Sequence, residues 1–273
     1  MQLLDAWPLA QRRRVRGIFT DIDDTLTTDG AITADALQAL HNLHAAGVPV
    51  IAITGRPVGW SEAFAASWPV QAIVAENGAV ALEKTHQISP QATSTLREQL
   101  SKRYLQDAAT RHTNYGRMQQ VLARIENEIE GATRATDSPG RETDIAIDHS
   151  EFVHLSEAHI AAVVALMQSE GMHATVSSIH VNGWYGTHNK LEGARWIVRE
   201  LLGRQLDAEM DEWAYVGDST NDQVMFEAFD NAVGVANVRR FEAQLQHKPR
   251  YITPGERGAG FAQVAAAVLA ARG

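Results

Sequence analysis

The chain has no cysteine, so disulfides and thiolate metal centres are excluded, and a reducing compartment is permitted. It has few aromatics, 7% of its residues, and no run approaching the roughly 20 apolar residues that a membrane-spanning helix needs. It also lacks positive charge: 24 Lys and Arg against 33 Asp and Glu leave a formal net charge of −9. Nucleic acid is therefore not expected as a partner, because backbone binding needs a basic surface. The one basic run, Arg12-Arg13-Arg14 with Arg16, reads as a solvated lead-in to the first strand. Those arginines follow a weak apolar stretch instead of preceding it, so no signal peptide is expected. The expectation is a cytoplasmic protein with no membrane contact. The eleven His residues are scattered without metal-ligand spacing.

What is present is hydrophobic content of 45% over 273 residues, enough for a sizeable core and more than one usual domain. Short apolar runs end in polar clusters. Val15 to Phe19 ends at Asp21-Ile22-Asp23-Asp24-Thr25, Val48 to Ile53 at Thr54-Gly55-Arg56, and Trp213 to Val216 at Gly217-Asp218-Ser219-Thr220-Asn221-Asp222. Lys190 opens a helical pattern carried by Leu191, Ala194, Ile197, Val198 and Leu201. Strand ends and helix starts are where open α/β sheets bind anions and metals. Asp21 and Asp23 together place more negative charge at a strand end than a core tolerates unpaired, so a cation is required. An oxygen-rich acidic site suits Mg²⁺. Carboxylates, a hydroxyl and an ammonium in these places are the inventory for moving a phosphoryl group.

In its D-x-D-x-T of Asp21 to Thr25, its Thr54 motif, its lone Lys190 and its G-D-x-x-N-D of Gly217 to Asp222, the chain resembles the haloacid dehalogenase superfamily of phosphohydrolases. Within it, the resemblance is to Cof-type hydrolases and to the sucrose-phosphate, trehalose-phosphate and mannosyl-phosphoglycerate phosphatases, which carry a large type-two cap. This implies an α/β fold: a Rossmann-like, doubly wound parallel sheet with an inserted α+β cap. The core is expected over residues 1–82 and 187–273, and the cap, a substrate lid, over 83–186.

The resemblance implies that Asp21 is the nucleophile, forming an aspartyl-phosphate, and Asp23 the general acid/base. Thr54, Gly55, Lys190 and Asn221 would bind the phosphoryl group. Mg²⁺ would be held by Asp21, the backbone carbonyl of Asp23 and Asp218, while Asp222 acts through a water or steadies Lys190. The expected partner is a small phosphate ester, a sugar phosphate first among them. Arg56, Asn77, Tyr185 and His188 are candidate substrate residues, although Arg56 could equally pair with Asp24, and the aromatic pair Trp184-Tyr185 could be core. Asp24 stands where many relatives carry Gly. A phosphomutase on the same scaffold and a non-catalytic phosphometabolite-binding protein are the alternatives, while a dehalogenase needs neither Asp23 nor the metal.

Within the lid, Ser89-Pro90 is expected to open a long polar helix toward Arg111, followed by a second helix over Met118 to Ile129. Thr143 to Asp148 alternates polar and apolar residues and suits an antiparallel strand with one wet face. Glu76-Asn77-Gly78-Ala79 reads as a tight turn between strands.

Overall fold

The computed structural model describes the backbone of residues 1–88 and 96–273, and side chains outside 86–98. Its strands are β1 (Gln2–Leu3), β2 (Gly17–Thr20), β3 (Thr27–Thr28), β4 (Ala31–Ile32), β5 (Val50–Ile53), β6 (Ala72–Ala75), β7 (Val80–Ile88), β8 (Leu96–Tyr104), β9 (Thr133–Arg134), β10 (Ile145–Asp148), β11 (His173–Val176), β12 (His180–Trp184), β13 (Trp213–Gly217), β14 (Ala232–Gly234) and β15 (Tyr251–Ile252). Its helices are α1 (Leu9–Arg14), α2 (Ala34–Ala45), α3 (Val58–Ser67), α4 (Ala108–Glu128), α5 (Glu157–Ser169), α6 (Lys190–Leu202), α7 (Gln223–Ala228) and α8 (Arg257–Ala270).

Nine strands form one sheet in the order β1-β15-β14-β13-β2-β5-β6-β7-β8. All neighbours through β6 are parallel; the last two pairings are antiparallel. Parallel strands are buried on both faces, which explains the unbroken apolar runs. Successive side chains point to opposite faces. Ile18, Val50 and Ala52 therefore join α2, α3 and α8 in one hydrophobic core, while Phe19, Ile51 and Ile53 join α6 and α7 in the other. Helices on both faces of a sheet that grows outward from β2 make the Rossmann-like, doubly wound arrangement that the sequence implies.

A second sheet, β11-β12-β10-β9, is fully antiparallel. Ile145, Ile147 and Val181 pack on one side with Met118, Val121, Leu122 and Ile125 of α4 and Val163 and Met167 of α5. Asp148, His180 and Asn182 are buried too, so the wet face expected for Thr143 to Asp148 is closed over, by the unit's own 150–152 loop at Asp148 and His180 and by the Thr54–Arg56 loop at Asn182.

Two expectations need correcting. No helix runs over 96–104; β8 lies there, paired residue for residue with β7, and the long helix begins at Ala108, capped by Asp107 accepting from the Thr110 N–H. Ser89-Pro90 lies outside the described residues. The boundary expected between 82 and 83 falls inside β7, whose pairing with β8 keeps residues 83–88 and 96–104 in the large sheet. The arginine run is solvated as expected, with Arg13, Arg14 and Arg16 exposed, and it is also tied to the end of the chain. Arg12 and Arg13 donate to the Ala267 and Ala271 carbonyls at the end of α8, where cations suit the helix dipole, and Arg14 pairs with Asp211.

Candidate active site

The polar clusters converge where the sequence puts them, beyond the carboxyl ends of β2, β5 and β13. Asp21 follows β2 and its N–H donates to the Val216 carbonyl of β13. Lys190, the first residue of α6, donates to Asp21 Oδ1 and Asp222 Oδ1, both at 2.7 Å, and to Asn221 Oδ1 at 3.4 Å. The start of α6 is fixed by Asn189, whose side chain accepts from the Leu191 and Glu192 N–H groups. It is also fixed by glycines. A Cβ on Gly193 would lie 2.5 Å from the Gly78 Cα, and one on Gly78 would lie 2.4 Å from the Asn189 carbonyl oxygen. Only two bare backbones allow α6 this close to the Glu76–Gly78 turn, where φ is positive at all three residues.

Asp21, Asp218 and Asp222 lie with carboxylate oxygens within 4.8 Å of one another, all buried. Burial, reinforced by Asp222 and Asp23, outweighs Lys190 and pushes the Asp21 carboxyl up to about 7. Burial and the neighbouring Asp21 and Asp222 push Asp218 well above the usual carboxylate range. Burial opposes the Lys190 charge, but its two carboxylate partners more than offset this and hold it above its ordinary value. Fully ionised, three carboxylates against one ammonium would leave two negative charges without a partner, and it is this crowding with burial that raises Asp21 and Asp218. The donor set is oxygen only, which fits a hard divalent cation.

The four acids are not equivalent. Both Asp222 oxygens are consumed within the protein: Oδ1 accepts from Lys190 and the Tyr215 hydroxyl, and Oδ2 from the Asp218 and Ser219 N–H groups. Asp222 therefore steadies Lys190 and the loop, leaving Asp21 and Asp218 to face a cation. Asp218 is held by the Asn237 amide at 2.9 Å, a contact the motifs do not announce. The Asp23 side chain is outside this cluster and receives the Arg56 Nε at 3.0 Å. Thr54 Oγ1 accepts the Arg56 N–H, which leaves its own proton free to donate.

Arg56 does not pair with Asp24. Its guanidinium is shared by Asp23, Asp137 and Glu151, and Glu151 also contacts His180 Nε2 at 2.9 Å. Asp24 instead pairs with Arg257, and it adopts φ 54 without being glycine. The antiparallel unit grips the Thr54–Arg56 loop from above: Arg141 and Asn182 both donate to the Gly55 carbonyl. The Glu76 carboxylate, fully buried, accepts the Glu142 and Thr143 N–H groups. Asp137, Glu151, Arg141 and Asn182 went unmarked in the sequence because nothing local distinguishes them from loop or strand polar residues.

Asn77 is buried behind Gly55 and donates weakly to Asp144. Tyr185 and His188 are not brought to the site. The Tyr185 ring lies under Arg117 and its hydroxyl donates to the Glu170 carbonyl, while His188 stacks on Trp184. His188 fronts a separate 280 Å³ hollow with Leu105, Gln106, Thr187 and Glu192. Aromatic character beside Lys190 in sequence was the signal, but the two chain linkers meet here and these side chains secure them.

Around Asp21, Asp23, Arg56 and Asn221 only about 10 Å³ is free. It opens to a mouth of about 500 Å³ lined by Asp23, Asp24, Asp29, Arg56, Glu151, Phe152, Arg240 and Arg257.

Fold and site define an α/β protein with a buried carboxylate and ammonium centre at the strand ends of a doubly wound sheet. Residues 18–264 match the family model of haloacid dehalogenase-like hydrolases, and the chain belongs to that family. Solved structures share the fold at low identity. A Thermoplasma acidophilum protein is 16% identical with a TM-score of 0.69, over 93% of this chain and 98% of that one. The sucrose-phosphatase of Synechocystis, solved with sucrose and phosphate, is 14% identical with a TM-score of 0.61, over 94% and 98%. A Bacillus subtilis haloacid dehalogenase-like hydrolase is 15% identical with a TM-score of 0.63, over 92% and 99%. Comparison with curated protein sequences gave no match. Among the described residues no helix is long and apolar enough to cross a membrane.

Proposed function

We propose that the protein is a Mg²⁺-dependent phosphomonoesterase acting on a small phosphorylated metabolite with a hydroxyl-rich leaving group, a sugar phosphate being the simplest case. The observation that carries the reading is the buried Asp21, held by Lys190 at 2.7 Å and clustered with Asp218 and Asp222, three carboxylates against one ammonium. Asp21 and Asp218 would hold the metal, which when bound supplies the positive charge that keeps Asp21 ionised beside an anionic ester.

The rest falls to the chain's own groups. An Asp21 oxygen attacks phosphorus and the bond to the leaving oxygen breaks; Asp23 donates the proton that the departing alcohol needs. Asp23, now a carboxylate, takes a proton from water, which attacks the aspartyl-phosphate and returns Asp21 with inorganic phosphate. Lys190 and the Thr54 hydroxyl are fixed donors for the phosphoryl oxygens, in place before charge develops. The antiparallel unit acts as a lid: through Arg141, Asn182 and Glu151 it positions the Thr54–Arg56 loop and closes the site to water.

The mouth supports a hydroxylated leaving group. Its four carboxylates and three guanidiniums nearly cancel, offering acceptors and donors in place of one sign of charge. Phe152, 71% exposed at its edge, is a face for a sugar ring. The test is phosphate release from an aryl phosphate and from a panel of phosphorylated metabolites, with Mg²⁺ and with excess chelator. Release that needs Mg²⁺ is expected. No release from any ester refutes the reading, and a rearranged phosphate without free phosphate identifies a mutase instead.

A further inference from the structure

In α5, composition and surroundings disagree. Ala158 to Met167 is apolar except for His159, a pattern suited to a helix covered on both sides. Only one side is covered. Val163 and Met167 pack into the core of the antiparallel unit, whereas Ala161 and Ala165 are exposed. With Ala161 and Ala165, the surface that half-buried Ile160, Val164 and Val176 leave outside that core fronts a cleft of about 1030 Å³, whose other wall carries Gln223, Phe241 and Gln244 of the large domain.

The cleft adjoins the site across a shared wall. Ser177 and Ser178 line both the cleft and the pocket around Asp21 and Asn221. Ser150, Ser178 and Arg240 line both the cleft and the mouth. The Thr220 hydroxyl donates to the Val176 carbonyl at 2.6 Å across the two domains, fixing the serine turn as the partition between them. A mouth of about 500 Å³ is within the range of small-ligand pockets, so a sugar-sized group leaves the larger, more aliphatic cleft empty.

We propose that this cleft is a subsite for an apolar extension of the leaving group, so that the ester this protein takes is amphiphilic: a phosphoryl group at Asp21, a hydroxylated segment at the mouth, and an aliphatic or aromatic portion against α5. The inference deepens the phosphatase reading and rests on it. The cleft's polar rim and aliphatic floor would bind that portion by burying it.

The experiment is a calorimetric titration of the Mg²⁺-loaded protein with n-alkyl phosphonates from ethyl to decyl, which cannot be hydrolysed, kept below their micelle concentrations. Affinity is expected to stay level for the shortest chains and then, once the chain passes Ser178, to rise about fourfold per added methylene. Ala161→Trp and Ala165→Trp, each made on an exposed position, fill the cleft. They are expected to remove that rise while leaving ethylphosphonate affinity and the far-ultraviolet dichroism unchanged. A series that is flat in the wild type, including one in which no member binds, overturns the proposal. So does a rise that both tryptophan variants retain. If the series is flat and the tryptophan variants change ethyl phosphate hydrolysis instead, the cleft serves movement of the lid and the proposal falls. Binding needs no turnover, so a length dependence without phosphate release would count against the phosphatase reading alone.

Discussion

Replacing Lys190 by Met tests the electrostatic account of the site most directly. The side chain is almost fully buried and makes two ion pairs of 2.7 Å, to Asp21 and Asp222. Methionine keeps the bulk and removes the charge, so the carboxylate cluster loses the one ammonium it contacts. Breaking a buried pair by removing one partner costs about 3–5 kcal/mol, which for a chain of this size lowers the melting temperature by roughly 10 °C. The pH dependence has a definite sign. Asp21 titrates near 7 in the fold against 3.8 ordinarily. The folded state therefore keeps a proton that the unfolded chain gives up above pH 4, and the contribution of this group falls as pH rises from about 4 to 7. Removing Lys190 removes a force that lowers the Asp21 value, so the loss in the variant should be larger at pH 8 than at pH 5. Mg²⁺ should restore part of it, since a ligand that binds only the folded state stabilises it. The assay is urea unfolding at both pH values, with Mg²⁺ and with chelator. A loss below about 1 kcal/mol, equal at both pH values and indifferent to Mg²⁺, would show that the three carboxylates do not share one field.

Asp21→Asn should abolish phosphate release, and no phosphoenzyme should be detectable by mass spectrometry; a phosphoenzyme in that variant would place the nucleophile elsewhere. Asp23→Asn should slow turnover by about 10²–10⁴-fold, less for an ester with a good leaving group, measured as the ratio between alkyl and aryl phosphates. Gly193→Ala puts a Cβ 2.5 Å from the Gly78 Cα, so α6 must back away and carry Lys190 with it. A fall of about 100-fold in kcat is expected from such misplacement, and wild-type kcat would refute the reading. Glu151→Gln concerns acid stability. Burial pushes Glu151 up, but hydrogen bonds from His180 and Arg56 hold it at about 2. Its contribution is present above pH 4.5 and lost as pH falls toward 2. The gap between wild type and variant should therefore be largest at pH 6 and shrink steadily as pH falls from 4.5 toward 2; a constant gap would mean that the charge of Glu151 is immaterial.

The convergence of these groups was legible because each follows a strand or opens a helix, and apolar runs such as Val48 to Ile53 mark those places. Its context was less so. Leu96–Tyr104 is rich in Arg, Glu, Gln and Lys, good helix formers, yet its conformation is set by nine pairings with β7, which no local preference reveals. Tyr185 and His188 are near Lys190 in sequence but face the linkers, because α6 starts between them and the site. Arg56 was singled out as a candidate, but two of its three carboxylate partners, Asp137 and Glu151, come from loops 81 and 95 positions away. The sequence spacing of Asp21 and Asp23 did not show that one would face the buried cluster and the other Arg56; that division comes from the Arg56 guanidinium.

The strand order carries a consequence for how the chain is made. β2 sits between β5 and β13, and Gly17 pairs with Trp213, about 200 positions later, a long-range contact of the kind that slows folding. At synthesis rates of roughly 5–20 residues per second, one edge of the strand that bears Asp21 stays unpaired for about 10–40 s while the whole antiparallel unit emerges. That unit has its own hydrophobic core and no strand in common with the large sheet, so it can form in the interval. The buried carboxylate and ammonium cluster is therefore among the last things a nascent chain acquires, and slowing translation between β12 and β13 should lengthen the period in which β2 is open to wrong partners.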